Sequence, residues 1–157
     1  MKNCVTKSGD TEFLIDKEDY PLVSKYGWML HSGGYIYGYI PSTKKLVYLH
    51  RFLKDAPKGK MVDHINRNKL DNRKSNLRLV TRSQNMYNSI GKKKRRSKYK
   101  GVYFSENRKK WIAQINVSKN KMKYLGGYTA QEEAALAYNN AAKSICGEYV
   151  LLNKIIR

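Results

Sequence analysis

The segment Gly91-Lys-Lys-Lys-Arg-Arg-Ser-Lys98 carries six basic side chains and no large apolar one, so it cannot bury enough surface to fold by itself. Placed past the middle of a 157-residue chain, it leaves two parts that must each build a small core. A first domain is expected over residues 1–90, a basic linker over 91–97 and a second domain over 98–157. The excess of positive charge extends well beyond the linker. Residues 1–90 hold 16 Lys and Arg against 8 Asp and Glu, and residues 91–157 hold 16 against 4, which together give the net charge of +20. That is more than solubility requires and points to a polyanionic partner whose phosphates the lysines and arginines would meet. No apolar run approaches the roughly 18 residues of a spanning helix, so no membrane partner is expected. Met1 to Asp10 lacks the apolar stretch of an export signal, and Cys4 and Cys146 lie near opposite ends. A cytoplasmic setting with both thiols free follows as the expectation.

Residue pattern gives a mixed α+β reading. Gly34 to Ile40 and Lys45 to Leu49 are β-branched and aromatic and are separated by Pro41-Ser-Thr-Lys44, which predicts a hairpin. His50 to Asp55 predicts a short helix that stops before Pro57. A polar stretch from Asn66 to Ser75 precedes a brief strand, Leu77 to Thr81, and a helix capped by Thr81 or Ser83 that runs to about Asn88. In the second part, Gly101 to Phe104, Trp111 to Val117 and Lys121 to Leu125 predict a three-stranded meander. Thr129-Ala-Gln-Glu132 then starts an alanine-rich helix with Ala134, Ala137, Tyr138, Ala141 and Ile145 on its packed face, ended by Gly147.

The residues suited to chemistry sit between these elements. Hydrolysis of a phosphodiester needs an activated water, a cation to offset charge on the phosphate, and a rigid frame. Asp63 and Asn85 offer hard oxygen ligands for Mg²⁺ or Mn²⁺, and His64 offers an imidazole that is neutral near physiological pH and can take a proton from water. Adjacent residues on a strand point to opposite faces, so Asp63 and His64 can serve separate roles. Asn76 would brace the polar loop. His50 reads equally as a satisfied structural histidine or as a phosphate contact, with Arg51 beside it.

The string from Met61 to Asn85, MVDHINRNKLDNRKSNLRLVTRSQN, resembles the HNH homing endonucleases of phages and mobile introns, and the likeness extends over residues 15–90, including Leu49-His-Arg51. It implies a ββα-metal fold behind the hairpin and a double-stranded DNA substrate. It implies one ion per active site held by Asp63 and Asn85, His64 as the base, a structural role for Asn76, and Arg82 near the scissile phosphate. Asn85 stands where many relatives carry a final His. The paired CxxC sites of some relatives are lacking, so no structural zinc is expected.

Tyr99 to Tyr103, Lys110 to Ile115, Tyr124 to Ala130 and Glu133 to Ala142 resemble the plant Apetala-two (ethylene-response-factor) domain over residues 98–153. That resemblance implies a three-stranded antiparallel sheet on one helix, with the exposed sheet face in the DNA major groove. Lys98, Lys100, Tyr103, Arg108, Gln114, Asn116, Lys121, Met122, Lys123 and Tyr124 would face the duplex. Alternation puts Trp111, Ala113 and Ile115 on the core side and Ile112, Gln114 and Asn116 on the DNA side. Tyr103, Asn116 and Met122 stand where plant members carry arginine, which moves the balance from base readout to phosphate contact. The expected function is a monomeric, homing-type, metal-dependent DNA endonuclease targeted by its C-terminal domain. The rivals are a non-catalytic DNA-binding regulator with a relic nuclease domain and an RNA-binding protein.

Overall fold

A computed structural model describes residues 3–8, 10–89, 97–118 and 121–155. The chain forms two compact units, Met1–Arg82 and Ser83–Arg157. Residues 90–96, which hold most of the expected basic linker, lie outside the described residues.

In the first unit β1 (Asn3–Ser8) and β2 (Thr11–Asp16) form an antiparallel hairpin. Phe13 and Ile15 of β2 alternate into the core, as a half-buried strand requires. After a single helical turn, α1 (Tyr20–Val23), come β3 (Trp28–Leu30), β4 (Ile36–Ile40) and β5 (Lys45–Tyr48), an antiparallel sheet in that order. The expected hairpin is β4–β5, turned by a 3-10 segment Pro41–Thr43 and by Lys44 at φ 53°. The short helix α2 (Leu49–Leu53) leads to a second hairpin, β6 (Met61–His64) and β7 (Leu77–Val80). Phe13, Ile15, Val23, Trp28, Ile36, Ile40, Leu49, Leu53, Val62 and Leu77 make the core. The β1–β2 hairpin and β3 are additions to the elements expected from the sequence.

The second unit opens with most of α3 (Arg82–Asn88), the helix expected after β7. The meander is β8 (Val102–Ser105), β9 (Lys110–Ser118) and β10 (Lys121–Tyr128), antiparallel with β9 central. Helix α4 (Gln131–Cys146) lies on it and ends at Gly147, φ 55°. The carboxylate of Glu133, one residue beyond the expected Glu132, accepts bonds from the Ala130 N–H and the Thr129 hydroxyl, because the cap of the helix is Ala130 and not Thr129. The packed face of α4 is rotated from the expected one: Ala134, Ala135, Tyr138, Asn139, Ala142 and Cys146 are buried, while Ile145 is exposed. Asn139 explains the turn, because its amide donates to the Asn153 carbonyl at 2.9 Å and accepts from the Asn153 N–H at 2.8 Å. Those two bonds tie the C-terminal segment around Asn153 to the inner side of the helix.

Ile112 also departs from simple alternation. It was expected on the open face with Gln114 and Asn116, yet it is buried. Gly127, its partner in β10, has no side chain, so Ile112, Tyr124 and Lys110 close over that backbone. Among the described residues, no helix is long and apolar enough to cross a membrane.

Gly101 carries the closest packing in this unit. It sits at φ 75°, and a Cβ there would overlap the Tyr138 ring and lie 2.7 Å from the Gln114 carbonyl oxygen. Gly101→Ala combines left-handed strain with a clash that backbone and ring cannot both avoid. It is expected to lower the stability of the second unit by about 2 kcal/mol or more, read as the shift of the thermal transition.

Candidate active site

Pairing of β6 with β7 sets the central residues. Asp63 stands opposite Arg78 and His64 opposite Leu77, so these two adjacent side chains leave the strand on opposite faces. Both are buried. A buried carboxylate needs a partner, and Arg78 supplies one: its Nε and Nη2 donate to Asp63 Oδ2 at 3.0 and 2.9 Å. Arg78 was not singled out in the sequence. The signal was there, since a strand opposite Asp63 in tight antiparallel register has to offer a counter-charge.

His64 is held from the loop. Its Nε2 lies 3.3 Å from Asn72 Oδ1. Burial pushes its pKa below the ordinary imidazole value, against the raising effects of the Asn72 bond and the Asp63 charge. The ring is therefore neutral at physiological pH and able to accept a proton.

The asparagine-rich stretch is a built loop. Asn76 accepts from the Asn66 N–H at 2.9 Å and donates to the Asp71 carbonyl at 2.7 Å, the bracing arrangement foreseen for it. Asp71 receives two bonds from Arg73, at 2.7 and 2.6 Å, and one from Asn66 at 2.8 Å, which hold its carboxyl below the usual carboxylate range. Strand β2 then fastens the whole loop. The Leu14 N–H donates to Leu70 O and its carbonyl accepts from the Asn72 N–H, each at 2.8 Å, while the Lys74 N–H donates to Asp16 Oδ2 at 2.7 Å. Asn72 and Asp16 were missed as contributors because their contacts join β2 to a loop distant in the chain.

His50 lies against His64, with ring centroids 5.1 Å apart, and Tyr35 and Tyr48 enclose it at 5.3 and 5.6 Å. Among the described residues, its buried Nδ1 has no hydrogen-bond partner. Arg51 turns to structure instead, donating to the carbonyls of Lys60 at 2.9 Å and Ala56 at 3.2 Å, and so clamps the loop ahead of β6. Arg82 is exposed at the first position of α3, and Asn85, half-buried on the same helix, belongs to the second unit.

The donor set suits a hard divalent cation: a buried carboxylate at position 63, already balancing one positive charge, beside a neutral imidazole. A second acidic group, Asp16, Glu18 and Asp19, brings its oxygens within 4.8 Å of one another. There the cation is already part of the chain, because Lys74 Nζ lies 2.5 Å from Asp19 and 3.7 Å from Glu18.

In the second unit Tyr103, Asn116, Met122 and Tyr124 are exposed, and Gln114 is half-buried. Register pairs Asn116 with Met122 and Gln114 with Tyr124 on one surface. Arg108 covers the Tyr124 ring, its guanidinium 5.6 Å from the centroid, and Lys121 and Lys123 are exposed. Lys98 is exposed beside Glu132 at 3.5 Å. Lys100 is placed differently from the others. Its Nζ donates to the carbonyls of Met86, Tyr87 and Ser89 at 3.2, 2.7 and 2.7 Å, and burial pushes its pKa down to about 8.

Residues 54–87 match a family model described as HNH endonuclease, and residues 97–148 match one described as AP2 domain. The chain is 37% identical over 149 residues to a protein of Acanthamoeba polyphaga mimivirus described as an uncharacterized HNH endonuclease, an alignment that covers 90% of this chain and 74% of the relative. No solved structure gives a significant match.

Burial, then the charges of His64 and Arg51, push the His50 imidazole from 6.5 down to about 3. The unfolded chain takes up that proton near pH 6.5 and the folded chain refuses it until about 3. The stability of the first unit is thus full above pH 6.5 and falls as pH drops through this window. Urea unfolding at pH 7.5 and 4.5 should show a smaller acid loss for His50→Gln than for wild type; equal losses contradict the assignment.

Proposed function

The chain belongs to the HNH endonucleases and carries an AP2 domain, and from that premise we propose that it is a metal-dependent enzyme that hydrolyses phosphodiester bonds in double-stranded DNA. The observation that carries the reading is the pair on β6: a buried, neutral His64 next to a buried Asp63 whose charge is met by a cation. Asp63 and, on the sequence motif, Asn85 are the proposed ligands of one Mg²⁺ or Mn²⁺. When bound, such an ion supplies positive charge for the scissile phosphate and its departing 3′ oxygen.

The chain's own residues divide the remaining work. His64 accepts the proton of the attacking water, and Asn72 holds the ring by its Nε2. Asn76 and Asp71 keep the loop from moving the ring. Arg82, exposed at the start of α3, is proposed to contact the scissile phosphate. In the second unit the exposed face of β9 and β10, with Tyr103, Arg108, Lys121, Lys123 and Tyr124, is proposed to dock on the duplex, largely through phosphates. A monomer with one active site nicks one strand, and the homing type of activity is part of the same proposal.

The test is direct. With Mn²⁺ or Mg²⁺ the wild type should relax supercoiled plasmid by nicking. His64→Ala should lose at least 100-fold in rate, in line with removal of a general base, while duplex affinity by gel shift stays within a few-fold. Binding without any cutting by the wild type would instead favour the regulator with a relic nuclease domain.

A further inference from the structure

Helix α3 has two allegiances. By sequence it is the last element of the HNH match, which runs to residue 87, and it carries Asn85. By packing, its residues from Ser83 onward belong to the unit built around the AP2 sheet. Three contacts make that attachment. The Lys100 ammonium donates to the carbonyls of Met86, Tyr87 and Ser89, where a helix leaves its last acceptors unmet and where positive charge is favoured. The Tyr87 hydroxyl donates to Asn116 O at 2.9 Å, on the central strand of the sheet. The Leu151 N–H donates to Tyr87 O at 3.0 Å, and the Tyr87 ring packs against the buried cluster of Ile115, Tyr138, Ala142 and Cys146.

A lysine is a costly way to end an ordinary surface helix. Burying an ammonium has to be repaid by good partners, and charge-assisted bonds to three carbonyls are strong ones. The same corner forms a cleft of about 180 Å³ lined by Met86 and Lys100 together with Gln114, Asn116 and Met122, residues of the face proposed to meet DNA.

We propose that Lys100 and Tyr87 are positioning residues for the nuclease reaction: they lock the helix that carries Asn85 to the DNA-binding sheet, so that Asn85 is set by the DNA-binding body. Lys100 on this account is no phosphate contact, and the AP2 unit is part of the catalytic machinery in addition to its targeting role. The inference rests on the nuclease reading above, through the role given there to Asn85.

Full-length Lys100→Met and Tyr87→Phe test it. Three quantities are measured against wild type and His64→Ala: duplex affinity by fluorescence anisotropy without metal, the single-turnover nicking rate at saturating protein with Mn²⁺, and amide hydrogen exchange over residues 84–88. For Lys100→Met the expected result is affinity within threefold, a nicking rate at least tenfold lower, and α3 amides exchanging at least tenfold faster. Tyr87→Phe, a gentler change that guards against simple misfolding, should move rate and exchange in the same direction by about threefold. If both variants keep wild-type rate and protection while His64→Ala is dead, the positioning role is overturned and the nuclease reading stands. If wild type itself never cuts, the nuclease reading fails and the inference falls with it, even where Lys100→Met speeds exchange in α3. A loss of duplex affinity beyond tenfold in Lys100→Met, with α3 protection unchanged, would return Lys100 to the DNA face and also overturn it.

Discussion

The connection from Ile65 to Asn76 has to satisfy its own polar groups, and the rest of the first unit depends on how it does so. It lies between two strands of only four residues each, and a pair that short has little independent stability. What holds it is a closed set of side-chain bonds, to the main chain from Asn66, Asn68 and Asn76 and between the Asn66 and Asp71 side chains, tied to β2 by Leu14 and Asp16. Asn72 then passes that rigidity to the His64 ring. The asparagines thus keep the imidazole in place, as the general-base role proposed for His64 requires.

Electrostatics in the two units follow one logic at different strengths. Buried charges are matched individually: Asp63 by Arg78, Asp71 by Arg73, Asp19 by Lys74. Lys121, Lys123 and Arg108 on the second unit are exposed, and in the proposed function they face a polyanion. Lys100 breaks this division, being a basic residue of the DNA-binding unit whose charge is spent inside it, on the end of α3. Gly101 beside it lets the Tyr138 ring come close, so the start of the sheet and the end of α3 are fixed in one small region.

Much of this was legible from residue order. The Asp63-His64 pair, the strand and helix that follow, the meander and the alanine-rich helix all rest on local period, local turn chemistry and short spacing, which a sequence displays directly. Asn76 could be assigned a bracing role for the same reason. What escaped depends on contacts distant in the chain. Nothing local in Thr11 to Asp16 says that this strand fastens a loop near residue 72, although the alternation of Phe13 and Ile15 marks a strand. The face of α4 was turned by Asn139 meeting Asn153, a polar contact that an apolar-period argument cannot see. Lys100 was expected to face DNA from the resemblance of its segment to the Apetala-two domain, and only the fold shows three carbonyls within its reach.

Binding of Mn²⁺ to the purified protein, followed by electron paramagnetic resonance of the free ion, tests the central claim most directly. The account predicts one site per chain in the wild type, lost or weakened at least tenfold in Asp63→Asn and kept when Asp16 and Asp19 are both changed to Asn. Undiminished binding in Asp63→Asn, or binding that disappears only with the Asp16 and Asp19 changes, would contradict it.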